Sequence, residues 1–434
     1  MTSPDVIVIG GGIAGLRAAV DLSARGARVR VLEAKAVIGG RASSFVDPQT
    51  GDRVDNGQHV LVGCYHETFR FLATIGTADR VRLQPNLDVA FVDRHGARSR
   101  LRCPSLPAPM NLLAGLLEWE ALGWSDRVAA MRMAKIPPAS PFETVEQWLV
   151  HNGQTARMRE MLWEPLALAA LNQSVREAAA PPFARVLSDM FSGEPRDAAL
   201  GLPLVPLDQL FAEPARRFVE ARGGDVRFGA PAKVLLGSGA VSGPLEVDVR
   251  GERMQAAAVI CAVPWHALPE AITGDVAPIA AVLRSAAATQ ASPIASVNLW
   301  LDRQILQTPF LGLPGRVMQW VFDKQQLFEG TSHLTMVSSG ADEVMGLSNE
   351  ALTQVALDEL RGALPESRSA RVLRTTVVRE RRATFSLAPG QPPRPACRTN
   401  ISGLVLAGDW VETGLPATIE GAAISGRMAA EAVS

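Results

Sequence analysis

The first forty residues limit this chain more than any other stretch. DVIVIGGGIAGLRAAVDLSARGARVRVLEAK opens with a short apolar run, Val6 to Ile9. A β-branched run stopped by glycines suits a strand buried on both faces of a parallel sheet. Gly10, Gly12 and Gly15 then fit G-x-G-x-x-G. Leu16, Ala19, Val20 and Leu22 make one apolar stripe at helical spacing, with Arg17, Asp21 and Arg25 opposite. Gly26 stands where a helix C-terminal cap belongs. A second strand, Ala27 to Leu32, ends at Glu33, 18 residues after Gly15 (33 minus 15). Each part has a physical job. Gly10 permits the tight turn, Gly12 lets the backbone approach a pyrophosphate, and Gly15 lets helix and strand pack closely. The helix N-terminus offers free N–H groups and a positive dipole end to phosphate. Glu33 can accept both hydroxyl hydrogens of an adenosine ribose and repels a 2′-phosphate. A lone glycine fingerprint is weak, but strand, helix, second strand and acid together read as a dinucleotide-binding βαβ unit.

A dinucleotide has two ends, and the last thirty residues supply the second holder. LVLAGDWVETGLPATIEGAAISGR reads as a strand (Leu404 to Ala407), a Gly408-Asp409 turn, a loop, and a helix beginning near Pro416 to Ile419. Asp409 can bond ribityl hydroxyls or lie near the diphosphate. The N–H groups around Thr418 and Ile419 can face the electron-rich end of a flavin ring. An interior glycine costs a helix about 1 kcal/mol relative to alanine. Gly421 and Gly426 therefore imply close approach, either to the cofactor or to the first helix. A nicotinamide enzyme has no need of this element, so the cofactor reads as FAD. Gly39-Gly40-Arg41 suggests a further glycine turn with a cation beside the pyrophosphate; an ordinary loop with a solvated arginine is the alternative.

A chain of 434 residues, 47% hydrophobic, is too long for one core and too apolar to be disordered. Its 43 lysines and arginines against 44 acids give a net charge of -1, which argues against nucleic acid as a partner. Cys64, Cys103, Cys261 and Cys397 are scattered without a CxxC pair and read as free thiols. No metal site is expected. Asp5 opens the first strand, and VIVIGGG is too short for a signal-peptide core. No apolar run approaches the roughly 18 residues of a membrane span. The expected location is the cytoplasm, with peripheral contact on the inner face of the cell membrane left open.

The fingerprint, Glu33, Gly39-Gly40-Arg41, Ala262-Val263-Pro264 after a strand, and AGDW…IEGAAISGR resemble the FAD-dependent amine oxidase and phytoene desaturase superfamily. The resemblance runs essentially from end to end. It implies an α/β fold: a Rossmann-like FAD-binding domain with an inserted α+β substrate domain. DNGQHVLVGCYHETFRFL (Asp55 to Leu72) and LWEPLALAALNQSVREA (Leu162 to Ala178) resemble more closely the hydroxysqualene dehydroxylase family of bacterial hopanoid pathways. That resemblance implies reduction of hydroxysqualene to squalene and water, with NAD(P)H or another reductant behind the flavin. The competing implication is oxidative desaturation of a polyprenoid. Amine oxidation fits less well, because that site favours an aromatic cage and this chain has a single tyrosine. A non-catalytic FAD-binding partner of a squalene synthase-like enzyme is a further alternative.

The expected organisation assembles the FAD-binding domain from three separate stretches, 1–103, 201–276 and 396–434. Between them lie a helical substrate or lid region at 104–200 and a substrate-domain sheet at 277–395. In the superfamily the segment carrying Gly57 and His59 approaches the flavin. A proton donor is needed there, since hydroxide leaves a neutral alcohol poorly. His59, Tyr65 and Glu164 are the candidates in that order. Duller roles stay open: His59 as a structural histidine, and Glu164 as a first-turn acid beside Pro165, a helix-start proline. PMNLLAGLLEWEALGWSDR has apolar residues at helical spacing, followed by Arg127, Arg132 and Lys135. It reads either as a core helix or pocket lid, or as an interfacial helix touching membrane.

Overall fold

Val6–Ile9, Val29–Leu32, Ala258–Cys261 and Leu404–Leu406 are short apolar runs, and the fold stacks them side by side. The computed structural model describes residues 4–237, 243–329 and 333–433. These strands and Asp225–Arg227 form a five-stranded sheet in the order Asp225–Arg227, Val29–Leu32, Val6–Ile9, Ala258–Cys261, Leu404–Leu406. Every neighbouring pair in it is parallel. A parallel sheet must be covered on both faces, and Val6 to Ile9 are all buried. The first helix, Ile13–Ala24, lies on this sheet and is itself buried at ten of its positions, Arg17 among them. Its expected polar side is covered at Arg17 and half-covered at Asp21, while Arg25 is exposed. Arg17 pairs with Asp21 at 2.9 Å and with Glu67 of the helix His66–Ile75 at 3.4 Å.

A second sheet has seven strands: Val372–Phe385, Ala291–Leu301, His333–Ser339, Trp320–Asp323, Phe310–Gly312, Asp88–Val92 and Arg98–Arg102. The pair Asp88–Val92 and Arg98–Arg102, early in the chain, joins this sheet through Phe91 and Gly312. The helix Asn349–Ala363 packs with strand residues Val297, Leu299 and Met336 in one core. Helices from 110 to 191 bury Trp119, Trp148, Trp163 and Phe183 in another core, which includes Phe91 and Phe322 of the same sheet. The structure is mixed α/β, with parallel and antiparallel sheets, as the FAD-binding fold requires. Among the described residues no helix is long and apolar enough to cross a membrane.

The hairpin Ser44–Val46/Arg53–Asp55 joins the two halves. Asp47 accepts from Arg374 at 3.0 Å and Thr376 at 2.8 Å. Asp52 accepts from the indole of Trp300 at 2.7 Å, and Asp55 from Lys324 at 2.9 Å. All four donors lie on the seven-stranded sheet or directly after one of its strands.

The α-helix Glu164–Leu171 begins at Glu164 with Pro165 in its first turn, as expected, but it continues from backbone that is already helical. The backbone is already helical at Met158 and Arg159, and five residues of π-helix, Arg159–Trp163, precede the α-helix Glu164–Leu171. The same device recurs before Glu213-Pro214, where Asp208–Ala212 is also π-helical. A proline lacks the N–H that an α-turn needs and crowds the carbonyl four residues back. A wider turn just upstream removes both conflicts.

Candidate functional site

At the N-terminus of the first helix, two glycine turns lie against each other. Gly39 N donates to Gly11 O at 2.7 Å, and Gly12 bridges Gly39. A Cβ on Gly15 would run into the Gly10 carbonyl, which is why the helix can sit so near the strand. A Cβ on Gly12 would meet nothing within 4 Å, so this face of the turn is open. Gly12 is the N-cap and carries no side-chain cap bond. Among the described residues no side chain accepts from the first-turn N–H groups, as a phosphate site requires. Glu33 is buried. It accepts from Gly11 N and Lys35 N, both at 2.8 Å, and fixes the turn to the end of the second strand.

Arg41 leaves the second glycine turn and pairs with Asp409 at 2.6 Å, 368 residues away. Its other Nη donates to Ala383 O at 2.8 Å, and its guanidinium lies 5.9 Å from the Trp265 ring. Burial works against its charge, but Asp409 outweighs burial and holds Arg41 above its ordinary value. Gly408 N is fixed by Ser425 Oγ at 2.7 Å. The N-terminal and C-terminal motifs therefore meet directly.

The C-terminal helix, Ile419–Ala432, begins beside them. Thr418 is its N-cap and accepts from Gly421 N at 3.0 Å. Burial pushes the Tyr65 phenol well above its ordinary value, and the Thr418 hydroxyl acts against that rise. Glu420, in the first turn, accepts from Glu67 N at 2.9 Å, Thr68 N at 2.8 Å and Thr68 Oγ1 at 2.7 Å. It thereby caps the helix His66–Ile75, which carries Tyr65 as its own N-cap residue. The interior glycines divide in role. A Cβ on Gly426 would strike the Ala14 carbonyl and come within 2.8 Å of Arg17 Cβ, so Gly426 serves contact with the first helix. Gly421 is less confined, its nearest neighbour being Pro416 O at 3.2 Å.

Gly57, Gln58 and His59 follow Asp55 on the same segment and are half-buried. Burial pushes the pKa of His59 down, against the pull of Asp55 and of the Arg41 backbone, and the Arg41 and Lys324 charges push it further down. Gln58 Oε1 is a buried acceptor with no donor among the described residues. Glu164 stands apart. Burial pushes its carboxyl up, and the groups acting on it are Arg176, Glu146, Glu160 and Arg159, none of them in the cradle.

These residues fit a flavin dinucleotide. The open Gly12 face and uncapped helix end could take the diphosphate, Arg41 could neutralise it, and the orphaned Gln58 oxygen asks for a ring N–H. Sequence reasoning missed Gln58, Glu420 and the Asp55–Lys324 pair. The signal available for Gln58 was its place between Gly57 and His59; a lysine in FDKQQ carries no local sign of burial.

The model of the flavin containing amine oxidoreductase family matches residues 13–434. A hydroxysqualene dehydroxylase of Rhodopseudomonas palustris is 31% identical over 440 residues, covering 99% of this chain and 98% of the relative. A 15-cis-phytoene desaturase of Synechococcus elongatus is 24% identical over 456 residues, covering 99% of this chain and 95% of the relative. An oxidoreductase from Methanosarcina mazei superposes with a TM-score of 0.75 at 18% identity, covering 98% and 99% of the two chains.

Proposed function

This chain belongs to the flavin containing amine oxidoreductase family and is an FAD-dependent oxidoreductase; from that premise we propose that it reduces hydroxysqualene to squalene. The observation that carries the reading is likeness over 99% of the chain to a relative of that activity. Its identity is seven points above that of the desaturase (31 minus 24).

In this reading the substrate C–O bond breaks, its electron pair leaves with oxygen, and a proton completes water. Bound reduced FAD supplies the hydride that the carbon takes up. Gly10, Gly12, Gly15, Gly39 and Gly40 hold the diphosphate, Glu33 the adenosine ribose, and Arg41 with Asp409 the region between diphosphate and ribityl chain. Thr418 and Ile419 present N–H groups to the flavin ring, and Gly57 lets its segment lie close. His59 is the first candidate to hold the proton, since the Arg41 backbone and guanidinium both act on its ring. Tyr65 is second, through Thr418. Glu164 comes last, because its neighbours lie on the helices rather than in the cradle. NAD(P)H, or another two-electron donor, restores the flavin.

The test is one turnover without oxygen. Photoreduced protein is mixed with hydroxysqualene, absorbance of oxidised flavin is followed, and products are extracted. Reoxidation with squalene formed supports the reading. Bleaching of the oxidised protein by a polyprenoid, with no reaction of the reduced form, would replace it with desaturation. If His59 supplies the proton, the rate rises as pH falls from about 6.5, because its lowered pKa keeps it neutral above that. In His59→Ala with normal FAD content that rise disappears; an unchanged profile removes His59 from the role.

A further inference from the structure

Large apolar side chains on the surface of this protein are not evenly spread. Met110, Leu117, Trp124, Val128, Met131 and Phe142 all stand exposed within one segment, Trp124 at 73% and Phe142 at 88%. Their spacing is regular. Met110, Leu113 and Leu117 share one stripe of the helix Met110–Glu118, and Trp124, Val128 and Met131 share one stripe of the helix Trp124–Met131. Scattered surface leucines need no explanation, but a concentrated patch does.

Between the same two helices and Ala180–Phe191 lies a cavity of about 370 Å³. Leu112, Leu116, Met133, Trp163, Leu187 and Phe191 give it apolar walls, with Ser188, Ser192 and Lys135 also on the lining. The patch and the cavity are continuous. Leu113 belongs both to the exposed stripe of its helix and to the cavity wall, and Ala134 and Lys135 line the cavity just past Met131. Charge favours an anionic surface on this side. Arg132 and Lys135 are exposed at the end of the second helix, beside the mouth. Glu118 and Glu120 are exposed at the turn between the helices, away from that end in sequence, and Asp126 is turned inward to cap Gly123 N at 2.8 Å. An apolar stripe with an exposed tryptophan and a basic edge is the pattern of a helix lying in a membrane interface.

We propose that these two helices lie on an anionic phospholipid bilayer and that the cavity beneath them receives a long hydrocarbon chain from it. The identity of that chain as hydroxysqualene rests on the function proposed above; the docking does not. The arrangement gives a water-insoluble substrate a route that avoids water, and it places the protein on the surface without any spanning segment.

The test uses FAD-loaded protein and flotation with vesicles of phosphatidylcholine, alone or with phosphatidylglycerol. The wild type is expected to float with the anionic vesicles and to do so less with phosphatidylcholine alone. The variant W124S/M131S/F142S should lose at least tenfold in bound fraction, with FAD content and melting temperature unchanged. Its turnover should remain normal on detergent-dispersed hydroxysqualene and fall on vesicle-borne hydroxysqualene. Ala134→Trp, which fills the cavity from its wall, should float normally yet turn over slowly in both media. Wild type that stays in solution with both vesicles overturns the docking, and a dimer that the triple variant dissociates would assign the patch to a second copy instead. Normal turnover by Ala134→Trp overturns the cavity's role. Wild type that floats but never turns over hydroxysqualene in detergent refutes the proposed reaction and leaves the docking standing.

Discussion

Replacing Lys324 with methionine tests the joint between the two halves of the molecule. Lys324 and Asp55 are 2.9 Å apart with side chains 1% and 4% exposed. At an effective dielectric of 20, their attraction is about 6 kcal/mol. Most of it is offset by the cost of dehydrating both ions. Removing one partner is a different matter, because the other stays buried and charged. In Lys324→Met the Asp55 carboxylate keeps, among the described residues, only Ser44 Oγ at 2.8 Å and Leu207 N at 3.1 Å as donors. The expected loss is about 3–5 kcal/mol of folding free energy. Methionine retains most of the stem's packing, so little of this is a cavity effect. The contact of the ammonium with the Phe328 ring, 4.2 Å to its centre, adds about 1 kcal/mol. Asp55→Asn added to Lys324→Met removes the stranded charge and keeps an acceptor for both remaining donors. The double variant should recover more than half of the loss. The assay is urea unfolding of FAD-loaded protein, followed by circular dichroism and by flavin fluorescence. A single variant within about 1 kcal/mol of wild type, or a double variant no better than the single, would refute the reasoning that charge stranding sets the cost.

Other perturbations have distinct signatures. Gly426→Ala should destabilise by about 1–3 kcal/mol, since its Cβ meets backbone of the first helix, while Gly421→Ala should stay within about 1 kcal/mol of wild type; thermal melts of the pair decide it, and equal losses would be against it. Burial brings the fully buried His333 from 6.5 down to about 4, so the unfolded chain binds a proton there before the folded one does. Its contribution is complete above about pH 6.5 and falls away toward pH 4, by about 3 kcal/mol over the roughly 2.5 units between; His333→Phe should flatten that slope in urea titrations, and an unchanged slope would show that other groups dominate. Glu33→Gln leaves one of two backbone N–H groups, Gly11 or Lys35, without its acceptor, a loss of about 1–3 kcal/mol in the turn. FAD affinity measured by fluorescence titration should weaken about tenfold or more, and wild-type affinity would show that Glu33 does not set the turn.

The readable stretches of the fold were those whose signals are local. Val6–Ile9, the glycine turn and the stripe through Leu16 and Val20 are neighbours in sequence, and pattern alone specifies them. Gly408-Asp409 and Thr418 were legible for the same reason. Arg17 was not: on a helical wheel it belongs to a solvated face, and only the helices His66–Ile75 and Ile419–Ala432 bury it. The hairpin carboxylates Asp47, Asp52 and Asp55 find partners about 250 to 330 residues later, which no local pattern can show. The π turns had a sign that was overlooked, a Glu-Pro pair inside a continuing apolar helix. Gln58 had only its place between Gly57 and His59 as a sign, because an orphaned acceptor is a property of its surroundings rather than of its neighbours in sequence.

The long-range pairs share a logic. Arg41 meets Asp409, Tyr65 meets Thr418, and Glu67 and Thr68 meet Glu420. Each joins the first seventy residues to the last thirty. None of these bonds is made by the sheet alone, since Leu404–Leu406 touches only Ala258–Cys261 within it. The C-terminal helix is therefore fixed by contacts to the first helix and to the helix His66–Ile75, through Gly426 and Glu420. A ligand that touched both Arg41 and Asp409 would couple its own binding to the docking of the last thirty residues by mass action.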